Sequence, residues 1–285
     1  MKDNAILAVE VKENYHMACI WPAADTSKTA YAVEMLKQMG SIIYSRDIRL
    51  NYSGMRNFMI EIYGHQPWIG NIWNHFRGVR QHLDDCYCPG KPVKTYVFSA
   101  PSLETVTAVK GEIRKMFGIG NSSIHISDNR SETYDMMQLL YNRNSVDFLN
   151  YGQPFRYKNV YRKVKKAAQA MQEKYLDKNR LILGPEAAME VCGLGRASQV
   201  DVYTDYPEKM LKETGKRLGI TYRTETGTDG VEISELLYEP KNYFYYEGMK
   251  VVAPQCVLKG NLFHRERKKE QKMQRFVNRI EEGKR

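Results

Sequence analysis

The chain has 285 residues, 42% of them hydrophobic and 27% charged, with a formal charge of +10 at neutral pH. That length suits one large domain or two ordinary ones, and the composition is ordinary for a globular protein. No run approaches the roughly 18 apolar residues of a membrane span, Met1-Lys2-Asp3-Asn4 opens no signal-peptide hydrophobic stretch, and five scattered cysteines suit a reducing compartment. A cytoplasmic protein without a membrane partner is expected.

The first half alternates strands and helices. Ala5 to Val11 reads as an apolar-rich strand. Thr26 to Met39 carries Ala30, Val33, Leu36 and Lys37 at helical spacing, and Gly40 ends it. Ser41 to Leu50 reads as a strand, Tyr52 to Tyr63 as a helix and Val93 to Phe98 as a strand. Between them, His75, His82, Cys86 and Cys88 are zinc-ligand types. Their spacing matches no familiar zinc pattern, and a buried cysteine with surface histidines is the preferred reading.

Leu103 to Phe117 is a clear helix, with Val106, Val109, Ile113 and Phe117 on one face. Ser123 to Ile126 is a short strand, and a helix follows with Met136, Leu139 and Leu140 facing inward. His125, Asp128 and Arg130 lie where that strand gives way to the helix. Such a switch point favours an anion, so His125 and Arg130 are candidate phosphate contacts. Asn129 with Glu132 three residues on also forms a capping signature, which accounts for most of these residues.

Asn150 to Pro154 is a turn-rich break. Beyond it Val160, Val164, Ala167/Ala168, Met171 and Tyr175 trace one helical face, leaving Lys163, Lys165, Lys166 and Lys174 largely outside it. Charge concentrates here. Arg156 to Arg180 holds nine basic against two acidic residues, and His264 to Arg285 nine against four. Segregation of this kind is the footprint of a polyanionic partner, nucleic acid foremost, with Lys163, Lys165, Lys166, Arg265, Lys268 and Lys269 as the contacts. Tyrosines interleave with the basic residues around Tyr157, Tyr161 and Tyr243 to Tyr246, where core packing is the preferred role over base stacking.

Leu181-Ile-Leu-Gly-Pro-Glu-Ala-Ala-Met-Glu-Val-Cys-Gly-Leu-Gly-Arg-Ala-Ser-Gln-Val-Asp-Val-Tyr203 reads as a buried strand, a glycine turn, a short helix, a second turn and a strand with an acid. This order resembles the core of the nucleotidyltransferase superfamily, which includes DNA polymerase beta and the abortive-infection type of toxin. The resemblance covers roughly residues 180–280. It implies Gly184 at a phosphate-approaching turn and an acidic strand holding Mg²⁺, where this chain has Gln199-x-Asp201 in place of Asp-x-Asp. It further implies a third acid, matched by Glu232 if Val231-Glu232-Ile233 is a strand, and a hairpin at Glu247-Gly248. A helix opened by Ala253-Pro254 would then carry a triphosphate-binding Lys259. Residues 199 and 201 share a strand face. A neutral amide oxygen offers Mg²⁺ less than a carboxylate does, so weakened metal binding is expected.

The expected architecture is α/β or α+β: an N-terminal α/β domain over 1–154 of unassigned function, a basic connector helix over 155–179, and a nucleotidyltransferase-like domain over 180–285 with a basic C-terminal helix. The resemblance implies transfer of a nucleotidyl group from a nucleoside triphosphate to a hydroxyl, with Asp201 and Glu232 as catalytic acids. The alternatives are a non-catalytic nucleic-acid-binding protein on the same fold and a sugar- or lipid-phosphate enzyme with its site near His125.

Overall fold

The computed structural model describes residues 11–226, 231–263 and 266–284. The chain divides between Tyr141 and Asn142 into two units, each a mixture of helices and strands.

The first unit contains β1 (Tyr15–Ile20), α1 (Thr29–Met39), β2 (Ile42–Ile48), α2 (Tyr52–Tyr63), α3 (Val79–Cys86), β3 (Val93–Ser99), α4 (Leu103–Phe117), β4 (Ile124–Ile126) and α5 (Arg130–Tyr141). Its four strands form an antiparallel sheet in the order β2-β3-β1-β4. The strong local signals behave as expected. Asn51 accepts a hydrogen bond from Gly54 N at 2.7 Å and starts α2, and Ser102 accepts from Thr105 N at 3.2 Å and starts α4. Gly118, at φ +79°, ends α4 in the left-handed region. Val106, Ile113 and Phe117 of α4 join Leu36 of α1 and Ala18, Ile20, Phe98, Ile124 and Ile126 of the sheet in one core.

Strand β1 was not anticipated. His16 to Ile20 is buried at every position, so both faces are covered and no polar alternation marks it. The expected strand Ala5 to Val11 lies outside the described residues except for Val11.

The second unit contains α6 (Arg143–Tyr151), α7 (Asn159–Glu173), β5 (Leu181–Leu183), α8 (Pro185–Val191), β6 (Asp201–Thr204), α9 (Glu208–Leu218), β7 (Thr221–Arg223), α10 (Ile233–Tyr238), β8 (Tyr243–Tyr246), β9 (Met249–Val252), α11 (Pro254–Lys259) and α12 (Arg267–Glu282). Its mixed sheet has the order β7-β6-β5-β9-β8. β6 returns antiparallel to β5, β7 lies parallel to β6, and β9 lies parallel to β5 on the other side. The β8–β9 turn is Glu247-Gly248, both at positive φ (+49° and +69°), as a two-residue type I′ hairpin requires. The expected hairpin is thus present.

Several expectations are corrected here. α7, read as a connector, packs on α8 and α9 inside the second unit, to which α6 also belongs. Its buried stripe is Val160, Val164, Ala167, Ala170 and Met171. Tyr175 lies past its end at φ +54° and is 97% exposed, not on the stripe. Tyr243, Tyr245 and Tyr246 are buried, and Phe148 stacks on Phe244 at 4.4 Å; the β8 aromatics pack the core, as the sequence reading prefers. Among the described residues no helix is long and apolar enough to cross a membrane.

Candidate functional site

β5 ends at Gly184, which leads directly into α8 with Pro185 in its first turn. Gly184 N donates to Asp201 O at 2.8 Å. A Cβ at 184 would sit 3.2 Å from that carbonyl and 3.2 Å from the Tyr203 ring, so the closeness of the two strands favours glycine. The antiparallel return therefore brings Gly184 and Asp201 together at one end of the sheet.

Two carboxylates one helical turn apart on α8 organise the loop between α8 and β6. Glu186 accepts from Ser198 N and Ser198 Oγ, both at 2.7 Å, and from Gln199 N at 3.1 Å. Lys269 of α12 donates to its other oxygen at 2.5 Å. Glu190, 1% exposed, accepts from Val160 N at 2.6 Å and Ala197 N at 2.8 Å. Burial alone would raise the Glu186 carboxyl, but the bonds from Lys269, Ser198 and Gln199 outweigh it and hold the group down at about 2. Neither carboxylate was singled out from the sequence, because their partners are backbone groups contributed by other segments.

Asp201 opens β6. Its Oδ2 lies 3.1 Å from Arg223 Nε and accepts from Gln199 Nε2 at 3.2 Å. Its Oδ1 is buried and accepts no hydrogen bond. Gln199 lies in the loop before β6 rather than on the strand, and it turns its amide N–H toward the carboxylate. Arg223, absent from the sequence-derived site, neutralises the charge that would attract a cation. As placed, this donor set does not fit a divalent ion: one carboxylate oxygen already accepts from Gln199 Nε2, and the Arg223 guanidinium is paired beside it. Among the described residues no group of three or more His, Cys, Asp or Glu is placed to hold a metal.

The other expected site residues lie on separate elements. Glu232 is not on a strand but directly precedes α10 as its N-cap residue; the acid-bearing strand read at Val231–Ile233 is corrected. The strand beside β6 is β7, which carries Arg223 in place of an acid. Lys259 is the exposed last residue of α11. Of the basic residues, Lys163 donates to Gly219 O at 2.5 Å, Lys165 pairs with Glu247, and Lys269 bridges Glu186 and Glu266. These three are engaged in the fold, whereas Lys166 and Lys268 are exposed. Arg265 lies outside the described residues. Lys250, also missed, is 4% exposed on β9, donating to Asn179 O at 2.8 Å and Leu237 O at 2.6 Å. Burial brings its amine down to about 8.

In the first unit, His125 sits at the centre of a hydrogen-bonded chain. Tyr63 Oη lies 2.9 Å from His125 Nδ1, and His125 Nε2 lies 3.0 Å from Glu132 Oε1. An ionised Glu132 accepts from Nε2–H, and in the neutral ring Nδ1 then accepts from the Tyr63 hydroxyl. Glu132 also accepts from Asp128 N at 2.7 Å, and Asn129 accepts from Glu132 N at 2.9 Å; the capping signature is realised one residue wider than the usual box. Asp128 pairs with Lys110 and Arg130 with Glu13. His82 lies 3.7 Å from Cys86 Sγ.

No protein-family model matches the chain, and no curated protein matches it.

Proposed function

We propose that the second unit binds a phosphate-bearing polyanion, nucleic acid foremost, on a nucleotidyltransferase-like strand–turn–helix–strand core, and that it does so without a catalytic metal. The carrying observation is the distribution of charge. Residues 142–285 hold 28 basic against 19 acidic residues, so this unit carries +9 of the formal +10. Arg162, Lys166 and Lys268 are exposed and take no part in the ion pairs that occupy Lys165 and Lys269. Long-range attraction of this kind raises both affinity and encounter rate for a polyanion. The neutralisation of Asp201 by Arg223 sets the binding role ahead of nucleotidyl transfer. Five free thiols accord with a cytoplasmic place of action.

A second reading, transfer from a nucleoside triphosphate, is favoured by one observation: the buried Asp201 Oδ1 lacks a hydrogen-bond donor. Both are tested together by incubating the full chain with a labelled oligonucleotide, labelled nucleoside triphosphates and Mg²⁺ or Mn²⁺. Salt-dependent retention of the oligonucleotide without extension or labelling of any acceptor supports the binding role. Labelled product that disappears in Asp201→Asn supports transfer.

A further inference from the structure

We infer that Arg223 is a phosphate-contacting residue of the second unit and that Asp201 is its positioning carboxylate. This rests on the polyanion-binding role and narrows it to one side chain. Arg223 is the last residue of β7, in register with Tyr203 on the parallel neighbour β6. Its side chain turns back toward Asp201, two positions earlier on β6, and places Nε 3.1 Å from Oδ2. A guanidinium carries five N–H donors on three nitrogens in a fixed plane. The contact with Asp201 engages Nε, and no other partner meets the group among the described residues. The side chain is 45% exposed while the Asp201 side chain is only 13% exposed. The buried end of the pair is thus the acid, and the accessible end is the guanidinium.

Those facts fit an oxyanion fork. A carboxylate paired beside Nε holds the charged group at this end of β6 and leaves the two terminal nitrogens to meet a phosphate through paired N–H donors. Holding the group in place in advance lowers the ordering cost of binding. Gln199 donates to the same Oδ2 and so holds the oxygen that faces Arg223. The ligand is a phosphate group, either the terminal phosphates of a nucleotide or a phosphate of a nucleic-acid backbone.

The test uses the full chain in EDTA at low salt, with pyrophosphate followed by calorimetry and a fluorescein-labelled single-stranded oligonucleotide followed by anisotropy. Wild type, Arg223→Ala, Arg223→Lys, Asp201→Ala and Asp201→Asn are compared, each checked for native circular dichroism. Arg223→Lys keeps the charge and guards against misfolding of the alanine variant. Both Arg223 variants should weaken pyrophosphate binding about tenfold or more, because the paired donors are lost. Asp201→Ala leaves Nε without its oxygen and should weaken pyrophosphate binding, whereas Asp201→Asn keeps an oxygen facing Nε and should restore it; equal binding by Asp201→Ala and wild type overturns the positioning role. An equal loss for the oligonucleotide assigns the fork to a backbone phosphate; loss for pyrophosphate alone assigns it to a nucleotide. The inference is overturned if Arg223→Lys binds pyrophosphate like wild type, if binding requires Mg²⁺, or if Asp201→Asn abolishes it. Wild type that holds the oligonucleotide but not pyrophosphate also overturns the fork and leaves the polyanion role standing. Wild type that holds neither removes both.

Discussion

Replacing Glu186 with Gln tests whether the loop before Asp201 is held by charge. The carboxylate receives three donors from Ser198 and Gln199 and a fourth from Lys269. A carboxyl lowered from 4.5 to about 2 corresponds to roughly 3 kcal/mol at neutral pH. Solvent screening at a part-exposed site reduces that to on the order of 2 kcal/mol. Glutamine keeps an oxygen for the loop donors but loses the charge, so a loss of about 2 kcal/mol is expected, or about 4–8 °C in Tm for a unit of this size. Because the folded value is depressed, the stabilisation is fully present above 4.5 and is lost as pH falls toward 2. Urea unfolding of wild type and Glu186→Gln, repeated across that range, should show a gap at pH 7 that closes on acidification. Equal stability at pH 7, or a gap that persists at pH 2, would refute the electrostatic account of the loop.

The basic residues should separate into two classes. Neutralising Arg162, Lys166 and Lys268 should weaken oligonucleotide binding and flatten its salt dependence by about one log–log unit per lost phosphate contact, with little change in Tm. Neutralising Lys163, Lys165 or Lys269 should instead lower Tm, because each supports a carbonyl or a carboxylate of the fold. Lys250→Met removes a buried amine whose folded value, about 8, lies below its usual 10.5. The wild-type protein should therefore gain stability relative to this variant as pH rises from 8 to 10.5, read from denaturant midpoints. His125→Ala leaves the Tyr63 hydroxyl and Glu132 without their partner and should cost about 2–4 kcal/mol in denaturant unfolding; Tyr63→Phe should cost less, about 1 kcal/mol, since Glu132 stays paired.

The elements legible in the sequence were those whose signals are local. α2 and α4 carry their own caps at Asn51 and Ser102, and the β8–β9 hairpin is announced by Glu247-Gly248. β1 was hidden because a strand covered on both faces has no alternation, and α3 has only eight residues in which to show a period. The meeting of two candidate residues was legible in outline: Gly184 and Asp201 come together because a strand, a short helix and an antiparallel return place them at one sheet end. Its electrostatics were not. Arg223 reaches Asp201 across a strand pairing, and Glu186 is satisfied by a loop and by α12, far away in sequence. Lys163 and Lys165 read as polyanion contacts, yet one supports the end of α9 and the other a buried glutamate. Glu232 followed a strand pattern read from three residues, too few to distinguish a strand from the start of a helix.

The most direct test of the central claim is the binding of a labelled oligonucleotide to the full chain as a function of salt, with EDTA present throughout. Metal-free binding that weakens log-linearly with salt, and that falls when Arg162, Lys166 and Lys268 are neutralised, is the predicted result. Binding that appears only with Mg²⁺ or Mn²⁺, or no binding at low salt, would contradict it.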